Sequence, residues 1–221
     1  MPVAAPPKAL GVHVQDSLRR MIVTGGIAVG THLVEAQLSE AYDVSRGPVR
    51  DALRQLEAEG LVASRRRGVF VVGLTEDDIE ELYSLRQLVE QKAVALCLQP
   101  GERDWSSSRA ALALMRRAAD AGDPALFAEA DLAFHDTFYD VAGHRRLAAV
   151  WQQHRPVFAD MLAVTNTSTR DLQPVYDDHV DLLAAVVERR DDALPIVEEH
   201  IDGARRRMLA ADRTASAGAP V

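Results

Sequence analysis

Residues 38–68 read LSEAYDVSRGPVRDALRQLEAEGLVASRRRG, and this stretch leaves the chain few folds to adopt. A helix-forming run ends at Tyr42, "DVS" has turn chemistry, and Ser45 stands where it caps a second helix that stops at Gly60. Two β-prone runs, LVAS and VFVV, then flank Arg65-Arg66-Arg67-Gly68, the pattern of a tight hairpin. Upstream, Val14, Leu18, Met21 and Ile22 repeat at helical spacing until the Gly25-Gly26 pair, and VGTHLVE reads as a short extended link. The middle helix turns Leu38 and Tyr42 inward, and the third turns Val49, Leu53 and Leu56 inward. Three helices and a hairpin in this order predict a winged helix-turn-helix over residues 10–73.

From Leu74 onward the sequence has no strand pattern. TEDDIEELYSLRQLVEQKAVALCLQ carries Ile79, Leu82, Leu85, Leu88 and Val89 at helical spacing behind Thr75 and a run of acids suited to a helix start. Further helices are expected over 105–121, 124–141, 145–162, 174–189 and 192–211. The fold class is therefore mainly α: the winged head followed by an all-α bundle of about six helices over 74–211. Residues 1–9 and 212–221 are expected to be a disordered arm and tail. No apolar run reaches the roughly 20 residues needed to cross a bilayer, and MPVAAPPKAL has no continuous apolar core of a signal peptide. A soluble, cytoplasmic protein with no membrane partner is expected. The single cysteine, Cys97, excludes an intrachain disulfide and a cysteine-rich zinc site, and its apolar neighbours mark it as a small buried hydrophobe.

A net charge of −8 argues against nucleic acid until its distribution is considered. Up to Gly73 nine Lys and Arg stand against seven Asp and Glu; the rest of the chain has sixteen against twenty-six. A mildly basic head on an acidic body points to two domains with different partners. In the head, Arg46, Arg50 and Arg54 fall on the helix face opposite Val49, Leu53 and Leu56, and one helical turn separates each from the next. Arginine can grip guanine O6 and N7 through two hydrogen bonds, and the wing tip with Arg66, Arg67 and Gly68 suits phosphates or a narrow minor groove.

The stretch LSEAYDVSRGPVRDALRQLEAEGLV…RRRGVFV resembles the DNA-binding domain of the GntR family of bacterial regulators. The resemblance implies that Ser45, Arg46, Arg50 and Gly68 face double-stranded operator DNA. Gly47 stands on the same helix end, where the family often has Thr, and Ala36 stands where many members have Arg or Lys.

The body poses a different question. DLAFHDTFYD places Asp131 and His135 four residues apart among apolar neighbours, so both project from one helix face. His179 and His200 each lie about ten residues from the turn near 189–192, roughly 15 Å along their helices, so an antiparallel hairpin brings them level. If the two pairs meet in the folded bundle, three imidazoles and a carboxylate suit zinc, nickel or a similar divalent transition metal better than calcium or magnesium. The all-α body resembles the FCD ligand domain of the FadR-like branch of the GntR family. In metal-binding members the four positions matching Asp131, His135, His179 and His200 hold a divalent ion. The resemblance also implies a small carboxylate effector filling open positions on that ion. Arg86 matches a family arginine on the first body helix, suited to an effector carboxylate or to a salt bridge, and Asn166 and Thr165 are further candidates for the cavity wall. His154 is a spare candidate ligand. His144 reads as structural, and His13 and His32 belong to the head.

The expectation is a homodimeric, metabolite-responsive DNA-binding regulator, in the family's commoner arrangement a repressor released by ligand, on a palindromic operator. A regulator with a purely structural metal is the alternative. A metal-dependent hydrolase would need a general base beside the open positions, and no motif supplies one.

Overall fold

The computed structural model describes residues 7–217, and among these the chain forms nine helices and three strands in two compact units that divide between Thr75 and Glu76. In the first unit α1 (Pro7–Val23) precedes the two-residue strand β1 (His32–Leu33), α2 (Glu35–Ala41) and α3 (Arg46–Ala58). The hairpin β2 (Val62–Arg65) and β3 (Gly68–Val71) completes it, with antiparallel strand order β1-β3-β2. Val14, Leu18 and Ile22 of α1 meet Val49, Leu53 and Leu56 of α3 over Leu33, Leu61, Val62 and Val71. Leu38 and Tyr42 are only partly buried, because α2 lies at the margin of this small core. Ser45 takes the N-cap position of α3 without a side-chain cap bond.

Pairing Arg65 with Gly68 leaves Arg66-Arg67 as the two-residue turn at the wing tip. Gly68 has φ +132°, and a side chain there would run into the imidazole of His32, which stacks on Phe70 at 4.7 Å. Two polar links brace the α3 end of the unit. Glu57 accepts from the backbone N of Ser64 at 2.7 Å and from its Oγ at 3.0 Å, fastening the hairpin to α3. Arg19, only 2% exposed, donates to both oxygens of Glu59 at 2.7 and 2.9 Å.

The second unit is a helical bundle: α4 (Glu76–Cys97), α5 (Ser106–Ala121), α6 (Pro124–Ala142), α7 (Arg145–Ser168), α8 (Gln173–Val187) and α9 (Ala193–Ala217). α6 lies at its centre. Asp123 caps it by accepting from Ala125 N and Leu126 N, and Gly143 ends it in the left-handed region at φ +64°. Buried aromatics Phe127, Phe134, Phe138 and Tyr139 surround Asp131 and His135 on this helix. His144 has the structural role expected of it, its Nδ1 accepting from Leu147 N to cap α7.

Four expectations need correction. α4 buries Ile79, Tyr83, Arg86, Glu90, Ala93, Val94 and Cys97, whereas Leu88 on the expected apolar stripe is 67% exposed. Two stripes of helical period run along this segment, and the inward one carries two charges, so hydrophobicity alone selects the wrong face. α7 continues six residues past 162. The helices also extend into the expected arm and tail: Pro7 starts α1, where proline's missing N–H costs nothing, and α9 runs through 212–217. Residues 1–6 and 218–221, the rest of that arm and tail, lie outside the described residues.

Glu59→Ala leaves the buried Arg19 guanidinium short of its main acceptor and is expected to lower the stability of the winged unit by about 2 kcal/mol. Urea unfolding followed by far-UV circular dichroism measures this. A change below about 0.5 kcal/mol would mean that the pair behaves like an exposed ion pair.

Candidate metal centre and nucleic-acid interface

α6, α8 and α9 bring Asp131, His135, His179 and His200 together inside the bundle. The ring centroids of His179 and His200 are 4.4 Å apart, and those of His135 and His200 are 5.2 Å apart. One ligating atom from each of the three histidines lies within 4.8 Å of the others. Nε2 of His135 and Nε2 of His179 each stand 3.5 Å from a carboxylate oxygen of Asp131, and Nε2 of His200 stands 3.3 Å from that of His135. The four side chains are buried, between 0 and 7% exposed. His154, half-buried on α7, is outside this cluster.

The proton positions follow from the outer nitrogens. Nδ1 of His179 is 2.6 Å from the carbonyl oxygen of Val175, and Nδ1 of His135 abuts a carboxylate oxygen of Glu90. Both partners only accept, so both Nδ1 atoms carry the proton, and both Nε2 atoms present lone pairs inward. Burial, reinforced by the neighbouring His179, His135, Arg86 and Arg207, drives the His200 pKa well below the usual imidazole value; burial likewise lowers that of His135. Burial alone would raise the Asp131 carboxyl, yet His179, His135 and Arg86 overcome it and hold the group below the ordinary carboxylate range. Asp131 Oδ1, His179 Nε2 and His200 Nδ1 are buried with no hydrogen-bond partner. Lone pairs thus converge on a small volume, and the one inward proton that the contacts allow is that of His200, whose Nε2 faces the unprotonated Nε2 of His135 at 3.3 Å. The donor set fits a divalent transition metal, which would supply positive charge beside Asp131 and accept those lone pairs.

Glu90 was missed by the sequence reading. It lies on α4, fully buried, and bridges His135 to Arg86, whose Nε donates to it at 3.0 Å. Burial alone would raise the Glu90 carboxyl; His135 and Arg86 instead hold it at about 2. Arg86 is itself buried beside the faces of Trp151 and Phe158, at 5.7 and 5.4 Å from the ring centroids. Arg86 is therefore engaged in a buried ion pair within α4, a salt bridge being one of the two roles open to it. The signal available was the i,i+4 pair in RQLVE, the same spacing as Asp131 and His135 and likewise set among apolar residues. Thr165 donates to the Met161 carbonyl and is bonded to Met208 Sδ. Asn166 is buried with its Nδ2 unpartnered, and among the described residues no hydrogen bond joins it to the cluster. His200 also lines a surface cleft of about 410 Å³ between α8 and α9, together with Asp178, Glu199, Arg206 and Arg207.

In the winged unit Ser45, Arg46, Arg50 and Arg54 are exposed on α3, Gly47 is half-buried, and Arg66 and Arg67 are exposed at the wing tip. Arg54 pairs with Asp51 at 3.2 Å, but both are about 70% exposed, so the pair is easily exchanged for a phosphate. Gly68 closes the wing turn.

The sequence matches the model of the bacterial regulatory proteins of the gntR family over residues 10–72 and that of the FCD domain over residues 81–203. It is 31% identical to the gluconate operon transcriptional repressor of Bacillus subtilis (strain 168), over 86% of this chain and 80% of that protein. The chain belongs to the GntR family and carries an FCD domain. A probable D-xylose utilization operon transcriptional repressor of Paenarthrobacter nicotinovorans is 26% identical over 85% of this chain and 81% of its own length. The crystal structure of a transcriptional regulator GntR from Rhodococcus sp. RHA1 superposes with a TM-score of 0.68 at 27% identity, covering 92% of this chain and 99% of that one. This GntR protein is a transcriptional regulator rather than an enzyme. Among its described residues no helix is long and apolar enough to cross a membrane.

Glu90→Gln removes the carboxylate that fixes the His135 tautomer while keeping shape, and is expected to weaken metal binding by about 10–100-fold. Competition against a chromophoric chelator measures this, and an unchanged affinity would reduce Glu90 to a packing residue.

Proposed function

We propose that this GntR protein is a metal-dependent, carboxylate-responsive repressor that binds a palindromic operator as a homodimer in the cytoplasm. The observation that carries the reading is the convergence of buried ligand atoms from His135, His179 and His200, with Asp131 3.5 Å from two of them, in an FCD domain. Such a centre is expensive to bury without a cation, and a four-residue shell leaves an octahedral ion two positions for a small carboxylate. Bound metal supplies a Lewis-acidic anchor for that carboxylate. The cleft beside His200 is the route we assign to the ligand; Arg206 and Arg207 line it together with Asp177, Asp178, Asp181 and Glu199, so the bound ion and not the cleft supplies the attraction for an anion. The operon names of the relatives, gluconate above all, favour sugar acids as the first ligands to test.

On the DNA side Arg46 and Arg50 read bases from the major groove, with Ser45 and Gly47 at the start of the same helix. Arg54, Arg66 and Arg67 hold phosphates, and Gly68 lets the wing approach the backbone. A two-fold pair of such heads matches a palindrome. Moving the DNA-competent population from 1:99 to 99:1 takes about 5.5 kcal/mol of differential binding, a demand that a charged ligand on a buried metal is suited to meet in good part.

Arg50→Ala is expected to weaken operator binding by about 1–3 kcal/mol with unchanged metal content. Fluorescence anisotropy on operator DNA measures it, and a variant that also loses metal would indicate misfolding. The same assay tests the whole reading. Sugar acids are expected to release DNA from metal-loaded protein and to have no effect after chelation. DNA affinity that small acids leave unchanged in both states would favour a purely structural metal.

A further inference from the structure

At the end of α4 a second pocket, of about 320 Å³, is lined by three arginines: Arg103 from the α4–α5 loop, Arg109 from the first turn of α5, and Arg189 from the turn after α8. Its floor is Cys97, Trp105 and Val187, and no carboxylate lines it. It is separate from the metal centre. Cys97 lies seven residues beyond Glu90 on α4 and Val186 seven beyond His179 on α8, roughly 10 Å along each helix.

One feature of this pocket is costly unless something negative enters it, and a second fixes its geometry. Arg103 donates from Nη2 to the Leu96 carbonyl at 3.3 Å, but its Nε is buried with no partner. Arg189 takes the left-handed position that ends α8, φ +54°, where glycine is the cheaper residue. From there its guanidinium donates to the Gly101 carbonyl, binding the α4–α5 loop to the α8–α9 turn. Among the described residues no acid forms an ion pair with any of the three. The charge closest in effect is Asp104, whose carboxylate feels Arg109 but already accepts from Ser106 N at 2.8 Å. The neighbouring acids Glu102 and Asp140 line an adjacent cleft that shares only Arg103 with this one.

We propose that this pocket is a second ligand site, taking a small oxyanion of phosphate geometry, free or as the head of a phosphorylated metabolite whose organic part rests on Trp105 and Val187. Guanidinium groups donate paired N–H bonds to adjacent oxyanion oxygens, and three of them from three separate segments enclose a tetrahedral anion. Occupancy ties the α4–α5 loop, α5 and the end of α8 together, so the ligand stiffens one end of the bundle.

The test is thermal unfolding of the metal-loaded full chain with inorganic phosphate, against chloride at equal ionic strength, for the wild type and for Arg103→Gln and Arg189→Gly. The wild type is expected to gain about 2–4 °C in a saturable manner at millimolar phosphate. Both variants are expected to lose that gain. Arg189→Gly, relaxed at a left-handed position, is expected to melt no lower than the wild type in chloride, so its loss of response is not a loss of fold. A gain retained in either variant overturns the proposal, because phosphate then acts elsewhere, the metal centre included. A wild type that responds equally to phosphate and chloride overturns it as well.

Discussion

A carboxylate and three imidazoles share one buried volume in this bundle, and the rest of the body is arranged around the cost of putting them there. Asp131 and His135 occupy the most deeply covered helix, and His179 and His200 are brought level with them by the hairpin of α8 and α9. Unpaired, such groups would cost several kcal/mol in desolvation. Their outer nitrogens are therefore tied to the Val175 carbonyl and to Glu90, and Glu90 in turn to Arg86, which lies against Trp151 and Phe158. Each outer partner orients the group inside it, so the centre is set in place before any ligand arrives. The open edge is at His200, where α8 and α9 leave a cleft.

The winged unit solves a smaller problem with different means. Its core holds about a dozen apolar side chains, and polar links do part of the fastening: Arg19 to Glu59, Glu57 to Ser64. The Glu57 link joins the wing to the recognition helix, which gives Arg66 and Arg67 a defined relation to Arg46 and Arg50 within the unit.

Much of this was legible in the residues. The winged head was readable because turn chemistry, glycine stops and the two β-prone runs around Arg65–Gly68 agree with one another. Spacing paired Asp131 with His135, equal distances to a turn paired His179 with His200, and the resemblance to FCD domains implied that the two pairs meet. The face of α4 was not, because its inward stripe carries Arg86 and Glu90 while Leu88 faces water, the reverse of the hydrophobic rule. Glu90 escaped for the same reason: a charge is assigned to solvent unless the buried partner it serves is already known. Helix ends at Ser168 and Ala217 also escaped, since alanine, serine and threonine neither enforce nor forbid one more turn.

The most direct test is the metal content of tag-free protein purified without chelator, measured by elemental analysis for the wild type and for His179→Ala and His200→Ala. The account predicts about one divalent transition-metal ion per wild-type chain and its loss from both variants. Wild-type protein that holds no ion even after incubation with zinc, nickel or manganese would contradict it, and the buried cluster would then be a metal-free cavity.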